Sequence, residues 1–162
     1  MNRSIVNIVF AGLGGQGVLK ASDIMAETAF RAGVDVKKAE IHGMSQRGGS
    51  VTSDVRFGDA DVLSPMVSEG EADYLVVLDA SQIDNNRAML RSGGVLIEPG
   101  SLDPSVVATH PRSLNVALLG VLSTHLDFDE ATWLAAIRAN LPSKVHEINE
   151  TVFRMRNEPN AQ

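Results

Sequence analysis

Short apolar runs alternate with longer segments of helical periodicity along the chain, a pattern typical of α/β proteins. Residues 5–10 form a β-branched apolar run that predicts a buried strand. Residues 19–32 place apolar side chains at helical spacing and end at Gly33, a residue that often terminates helices. Residues 74–78 and 95–97 are continuous apolar runs, which predict strands covered on both faces.

Turn residues divide the remaining sequence into further elements. Residues 50–57 alternate apolar and polar side chains, as a half-exposed strand does. The other predicted elements are a strand at about 34–41, a short extended piece at 62–67 on the sheet edge or in a loop, and helices at about 81–90, 113–126, 130–140 and 145–156. We therefore expect a single doubly wound, mainly parallel, Rossmann-like sheet flanked by helices, with a C-terminal helical segment and an antiparallel insertion near 50–58. One domain spans 1–156, and 157–162 form a polar tail.

Composition narrows the classes of function. The 162 residues suffice for one domain with a sizeable core. The net charge of -6 argues against a nucleic-acid partner, which requires a basic face. The absence of cysteine excludes disulfides, a thiolate nucleophile and cysteine-held clusters or zinc in this chain, and the four histidines lack metal-ligand spacing. No apolar run approaches the roughly 20 residues of a membrane span. We expect a cytoplasmic domain that binds no metal and no membrane.

The turn Gly12–Gly17 joins the first predicted strand to the first helix and has the glycine spacing of a dinucleotide fingerprint. The unpaired N–H groups at such a helix start, together with the helix dipole, favour an anion or an acidic partner. The fingerprint also requires an acidic residue near the end of the second strand, but Asp35 lies at its start and Glu40 lies late. Two interpretations stay open: a tight turn that only allows close helix packing, or a binding site, which Gln16 slightly favours. NAD specifically is less supported than either.

A second glycine-rich loop, His42–Gly49, follows the second strand and so lies at the carboxyl edge of the sheet beside the first. Arg47 offers a guanidinium that could bind a carboxylate or phosphate through two hydrogen bonds. The alternative for Arg47 is a salt bridge to Asp54 or Glu40. For the histidine at position 42, a hydrogen-bonded scaffold role is favoured over a ligand role.

These loops carry a resemblance to a known family. The glycine turn, the segment from Glu40 to Val51 and residues 55–58 resemble the gamma-type domain of the 2-oxoacid:ferredoxin oxidoreductases. The string His-Gly-Met-Ser-Gln-Arg-Gly-Gly at 42–49 is most similar to the small (beta) subunit of the indolepyruvate branch. The resemblance extends from residue 6 to about 155 and includes Ser64-Pro65, residues 69–73 and Asn115.

The resemblance implies a subunit that is inactive alone. In this family a larger partner chain carries thiamine diphosphate with Mg²⁺ and 4Fe–4S clusters, coenzyme A is the co-substrate, and electrons pass to ferredoxin. The substrate implied is indolepyruvate or another aryl-pyruvate, which is oxidatively decarboxylated to an acyl-CoA. The sequence agrees by lacking cysteine and any Gly-Asp-Gly…Asn-Asn segment for the magnesium diphosphate.

The resemblance assigns the two loops, but no catalytic residue and no metal ligand, to this chain. The residues expected to face the substrate, cofactor or partner are Gly12, Gly14, Gln16, Gly17, His42, Gly43, Met44, Ser45, Gln46, Arg47, Gly48 and Gly49. Two alternatives remain: a free-standing NAD(P)- or ATP-binding Rossmann-like protein, and a purely structural module of an assembly.

Overall fold

The fold is built on a single β-sheet. The computed structural model describes residues 4–42 and 49–156, and for His42 it describes the backbone only. Its strands are β1 (Ile5–Leu13), β2 (Asp35–His42), β3 (Ser50–Gly58), β4 (Ala72–Val77) and β5 (Leu90–Ile97). They lie in the order β2–β3–β1–β4–β5. β1 therefore occupies the centre, and its carboxyl end leads directly into the glycine turn.

The strand directions confirm a mainly parallel sheet with an antiparallel insertion. β1 pairs with β4 in parallel, and β4 with β5 in parallel. β3 pairs antiparallel with both β1 and β2, so β2 points the same way as β1. The hairpin connection between β2 and β3 produces this reversal, because a short connection can join only antiparallel strands. The sheet is consequently mixed, with β3 as its reversed member.

Helices cover the two faces of the sheet unequally. The helices are α1 (Val18–Arg31), α2 (Ile83–Asn86), α3 (Pro104–Thr109), α4 (Leu114–Ser123), α5 (Glu130–Asn140) and α6 (His146–Arg154). The longer helices α1, α4, α5 and α6 contribute to the main core on one face, which we call the helical face. The opposite face, called the second face, is covered by the α2 region and by part of the segment that follows β3.

The alternation of side chains along β1 builds both cores. Ile8 and Phe10 are fully buried in the main core together with Trp133 of α5. Val9 and Ala11 point the other way, into the smaller core of the second face. Because strand side chains alternate between faces, a strand buried on both faces needs a continuous apolar sequence. This explains the apolar runs that predicted β1 and β4.

The helix predicted at 81–90 is wrong in length and type. Asp79 accepts a hydrogen bond from the Ser81 backbone N–H and starts a 3₁₀ turn, and a second 3₁₀ turn follows the single turn of α2. β5 begins at Leu90, before the glycines that predicted the end of a helix. Its register with β4 is irregular there, and Gly93 has a φ of 76°. The glycines therefore accommodate a distortion inside the strand.

The remaining differences concern helix ends and short elements. α3 had no counterpart in the prediction, and α4 ends at Ser123 rather than near residue 126. The last helix occupies His146–Arg154 instead of 145–156. Residues 62–67 form a loop, one of the two options predicted for them. Within the described ranges, every helix is too short or too polar to cross a bilayer.

Candidate functional site

The glycine turn needs glycine at Gly17 for two physical reasons. Gly17 stands at the N-cap of α1 with a φ of 83°, in the left-handed region that other residues adopt at a cost. A Cβ at this position would also lie 2.5 Å from Nδ2 of Asn115, which donates a hydrogen bond to the Gly17 carbonyl at 3.3 Å. The start of α4 therefore packs directly on the glycine turn.

Gly12 serves a different purpose, because it allows β1 and α1 to approach closely. A Cβ on Gly12 would lie 2.8 Å from Cγ2 of Val18 and 3.2 Å from Cβ of Leu78. This supports the interpretation in which part of the turn exists for helix packing. Gly14 and Gly15 are exposed, so they leave the outer side of the turn open.

Gln16 spans the turn from one strand end to another. Its Oε1 accepts a hydrogen bond from the Leu13 backbone N–H at 2.8 Å, and its Nε2 donates to Oδ2 of Asp79 at 2.8 Å. Hydrogen bonds from the Ser81 hydroxyl, the Ser81 backbone N–H and Gln16 hold the pKa of Asp79 below its ordinary value. Gln16 thus fixes the turn against the carboxyl end of β4, and its role toward a ligand or partner stays a prediction.

The second glycine loop meets the first at the carboxyl edge of the sheet. The Gly14 backbone N–H donates to the Gly49 carbonyl at 2.9 Å, directly beyond the pair Leu13 and Ser50. The Ser50 hydroxyl donates to Oε1 of Gln82 at 2.7 Å, which ties the same edge to the connection after β4. We call Gly12–Gly17 together with 42–49 the glycine rim. The predicted adjacency of its two loops is confirmed at this junction.

Most of the second loop lies outside the described residues. This applies to Gly43, Met44, Ser45, Gln46, Arg47 and Gly48, and the side chain of His42 is likewise outside them. The backbone of His42 ends β2, opposite Val51 of β3. The roles proposed for these residues stay predictions.

The two carboxylates considered as partners of Arg47 already have partners elsewhere. Oδ2 of Asp54 accepts a hydrogen bond from the Val67 backbone N–H at 2.9 Å on the second face. Glu40 forms an ion pair with Lys38, which also pairs with Asp23 of α1. Because both carboxylates are engaged, these contacts argue against the salt-bridge alternative for Arg47.

A cavity of about 430 Å³ opens at the N-terminal end of α1. It is lined by Leu13, Gly14, Gly15, Gly17, Val18, Leu19, Lys20 and Val51. The N-cap of α1 has no side-chain hydrogen bond, and the first turn contains no acidic residue. The first N–H groups of the helix, its dipole and the exposed Lys20 therefore make this cavity electropositive. Its chemistry suits a phosphate, a carboxylate or an acidic side chain of a partner.

A second cavity, of about 490 Å³, shares Asn115 with the glycine turn. Pro111, Leu141, Val145 and Ile148 give it apolar walls, and Arg112 and His110 add polar groups. Sequence reasoning noted Asn115 only as part of a resemblance and missed this cavity altogether. Its lining comes from the end of α3, the starts of α4 and α6 and the turns that precede these two helices, and no local pattern predicts their meeting.

The acidic residue of a dinucleotide site is absent from the described part of the rim. Asp35 accepts a hydrogen bond from the Val62 backbone N–H at 2.7 Å, at the opposite end of β2. Glu40 is engaged by Lys38. Neither carboxylate is positioned to hold a ribose next to the glycine turn. Among residues 4–42 and 49–156, no group of three or more His, Cys, Asp or Glu side chains could hold a metal ion.

Comparison with known proteins assigns the class. Residues 7–111 match the family model described as pyruvate ferredoxin/flavodoxin oxidoreductase. The chain is 31% identical to the indolepyruvate oxidoreductase subunit IorB of Thermococcus kodakarensis, over 92% of this chain and 93% of that protein. It is also 41% identical over 110 residues to subunit IorB of Pyrococcus horikoshii, across 65% of this chain and 54% of that protein. The chain therefore belongs to the pyruvate ferredoxin/flavodoxin oxidoreductase family.

Solved structures agree with this assignment. The chain is similar to the keto/oxoacid ferredoxin oxidoreductase gamma subunit of Geobacter sulfurreducens, with a TM-score of 0.78, 25% identity and 94% coverage of both chains. It shares its fold with part of the 2-oxoglutarate:ferredoxin oxidoreductase of Magnetococcus marinus, with a TM-score of 0.80 and 19% identity over 94% of this chain and 30% of that one. The expected resemblance to gamma-type domains is confirmed, and the free-standing nucleotide-binding alternative is not favoured.

Proposed function

We propose that this chain is the thiamine-free small subunit of a thiamine diphosphate-dependent 2-oxoacid oxidoreductase, and that its glycine rim faces the larger subunit. The observation that carries the proposal is the hydrogen bond between Gly14 and Gly49, which joins two glycine-rich loops at one edge of the sheet. Similarity to IorB over almost the whole chain supports the same role.

The proposed division of labour between subunits follows from the chemistry that this chain lacks. Iron–sulfur clusters are held by cysteine thiolates, and the sequence contains no cysteine. The described residues also provide no group of acidic side chains for the Mg²⁺ of thiamine diphosphate. The described residues thus offer no site for either cofactor, and the proposal places both on the larger subunit. No residue of this chain is assigned a catalytic role.

The proposed reaction is the oxidative decarboxylation of indolepyruvate or another aryl-pyruvate. The 2-oxoacid loses CO₂, coenzyme A takes the acyl group as a thioester, and two electrons leave through the clusters of the larger subunit to ferredoxin. The aryl preference rests on the similarity to the IorB proteins. The electropositive cavity at the N-terminal end of α1 and the partly apolar cavity beside Asn115 are compatible with an anionic, elongated co-substrate such as coenzyme A.

The substrate part of the proposal is tested on the complex of this chain with its larger, thiamine-binding partner subunit. We expect reduction of ferredoxin that requires coenzyme A and is faster with indolepyruvate or phenylpyruvate than with pyruvate or 2-oxoglutarate. Activity that is independent of coenzyme A, or a preference for pyruvate, would contradict it.

The role of the rim is tested with Arg47→Ala in the same complex. A loop that faces the substrate side predicts a lower turnover at unchanged subunit assembly. Arg138→Ala is a matched control, because Arg138 is a surface arginine on α5 that lines a cavity with Arg31 at the C-terminal end of α1, the end far from Gly17. An unchanged rate for Arg47→Ala would favour the purely structural interpretation of this loop.

A further inference from the structure

The segment between β3 and β4 carries the most exposed large apolar side chain of the described chain. Leu63 is 90% exposed, and Met66 is 54% exposed. Both lie in residues 59–71, which cross the second face of the sheet on their way to β4. Isolated exposed apolar side chains need no explanation, but here the backbone that presents them is held in place.

Three side chains from the second face of β2 and β3 bind the backbone of this segment. Asp35 accepts a hydrogen bond from the Val62 N–H at 2.7 Å, Arg56 donates to the Ser64 carbonyl at 2.6 Å, and Asp54 accepts from the Val67 N–H at 2.9 Å. The side chains of Val62 and Val67, which belong to the same segment, are buried. The backbone is thus anchored on both sides of Leu63 and Met66, while their side chains point to solvent.

Asp54 makes this arrangement costly for the isolated chain. It is only 2% exposed, and burial raises its pKa while the hydrogen bond from Val67 acts in the opposite direction. Burying a carboxylate costs free energy, and the side chains of Leu63 and Met66 do not offset this cost because they stay exposed. An ordered backbone with outward apolar side chains is, however, what a preorganised binding surface requires, because less conformational entropy is then lost on association.

The segment that carries these two side chains is acidic. Residues 59–71 contain Asp59, Asp61, Glu69 and Glu71 and no lysine or arginine. Beneath them, Lys37 and Arg56 lie opposite each other on β2 and β3, and Arg56 is already held by Asn7 and Ser64. We call Leu63 and Met66 with these four carboxylates the Leu63 surface. It combines an apolar centre with the four acidic residues that flank it in sequence, which we call its rim.

We propose that the Leu63 surface docks the larger subunit through an apolar pocket rimmed by lysine or arginine side chains. This inference rests on the proposed function and adds a second contact, on the broad second face rather than at the glycine rim. A second copy of this chain fits poorly, since two acidic rims would repel each other. An anionic bilayer is disfavoured for the same reason.

The test measures the affinity of the purified chain for the larger subunit and compares variants. The double variant Leu63→Ser with Met66→Ser is expected to bind about 30-fold more weakly or worse, as for central apolar anchors of an interface. Phe30→Ser is the matched control, because Phe30 is 69% exposed but lies on α1 at the helical face. We expect its affinity to stay within about 2-fold of the parent.

A charge variant tests the rim without touching the apolar centre. Glu69→Gln with Glu71→Gln should slow association by about 10-fold at low salt and flatten its salt dependence, because the electrostatic attraction is reduced. Asp129→Asn with Glu147→Gln changes the net charge equally at exposed positions at the start of α5 and on α6, helices of the helical face, and should leave the rate nearly unchanged.

The outcomes separate this inference from the proposed function. If the parent chain does not bind the larger subunit, the proposed function fails. If it binds and the Leu63/Met66 double variant binds equally well, only the docking surface is wrong. Sedimentation of the chain alone tests whether a second copy of the chain binds the Leu63 surface instead. A dimer that the Leu63/Met66 double variant abolishes would assign the surface to a second copy and overturn the proposal.

Discussion

At Gly17 the chain leaves β1 and enters α1 with a φ of 83°, and the side chain of Asn115 fills the space where a Cβ would lie. Gly15, two residues earlier, has a similar φ of 87°, but no atom lies within 4 Å of the place that its Cβ would occupy. The two glycines therefore share the same backbone demand and differ in their surroundings.

Alanine substitutions at these two positions separate strain from close packing. We expect Gly15→Ala to lower the free energy of unfolding by about 1–2 kcal/mol, the cost of a left-handed backbone. Gly17→Ala should cost about 2–4 kcal/mol, because it also displaces Asn115 and its hydrogen bond. Urea unfolding with linear extrapolation measures both values. Equal losses for the two variants would show that the contact with Asn115 contributes nothing.

Gln16 and Asp79 show what single residues in a sequence can and cannot reveal. The glycine spacing predicted the turn, and Gln16 was correctly placed in it. Its hydrogen bond to Asp79 depends on a strand far along the chain, so no local pattern contained it. The available signal was that Asp79 directly follows a buried strand at the carboxyl edge of the sheet.

At the scale of elements, periodicity predicted the strands and the longer helices, because their side chains must alternate or repeat to reach a core. Helix α5 was predicted with its observed ends, Glu130 and Asn140. The region from 81 to 94 failed, since short turns and a distorted strand have no period of their own. The place of β3 between β1 and β2 could not be predicted from local sequence patterns either, because it depends on pairing between distant segments.

Asp54 on β3 gives a pH-dependent prediction for the segment that it anchors. Its pKa is raised in the folded state, so the native protein binds more protons than the unfolded chain above the ordinary aspartate pKa of about 4. Its contribution therefore lowers stability as pH rises through the window from about 4 up to the raised pKa.

Comparison of Asp54→Asn with the parent isolates this contribution. Asparagine keeps an oxygen for the Val67 N–H but carries no charge, so the difference in unfolding free energy should shift in favour of the variant as pH rises through that window. Unfolding curves at a series of pH values measure it. A difference that does not change with pH would mean that Asp54 titrates normally in the folded protein.

Gly120 determines how closely α4 and α6 pack. A Cβ there would lie 2.3 Å from the Phe153 carbonyl oxygen, so a backbone would have to move. Despite the better helix propensity of alanine, Gly120→Ala should lower the free energy of unfolding by about 2–4 kcal/mol. Thr124→Ala, at the exposed end of the same helix, should change it by less than about 0.5 kcal/mol. Similar values for both variants in urea unfolding would contradict the close packing.

At the scale of the whole molecule, two surfaces of the chain are candidates for contact with a larger subunit. The glycine turn Gly12–Gly17 meets Gly49 at the carboxyl edge of the sheet, with an electropositive cavity at the N-terminal end of α1. The Leu63 surface lies on the second face and is acidic around an apolar centre. The two surfaces have opposite electrostatic character, so the proposed docking would use different contacts at each of them.

An add-back titration tests the central claim most directly. The larger subunit is purified without this chain, and 2-oxoacid-dependent reduction of ferredoxin is measured while the chain is added in increasing amounts. We predict no turnover by either component alone and a rate that rises with added chain until it saturates. Turnover by the isolated chain, or full turnover by the larger subunit without it, would contradict the account.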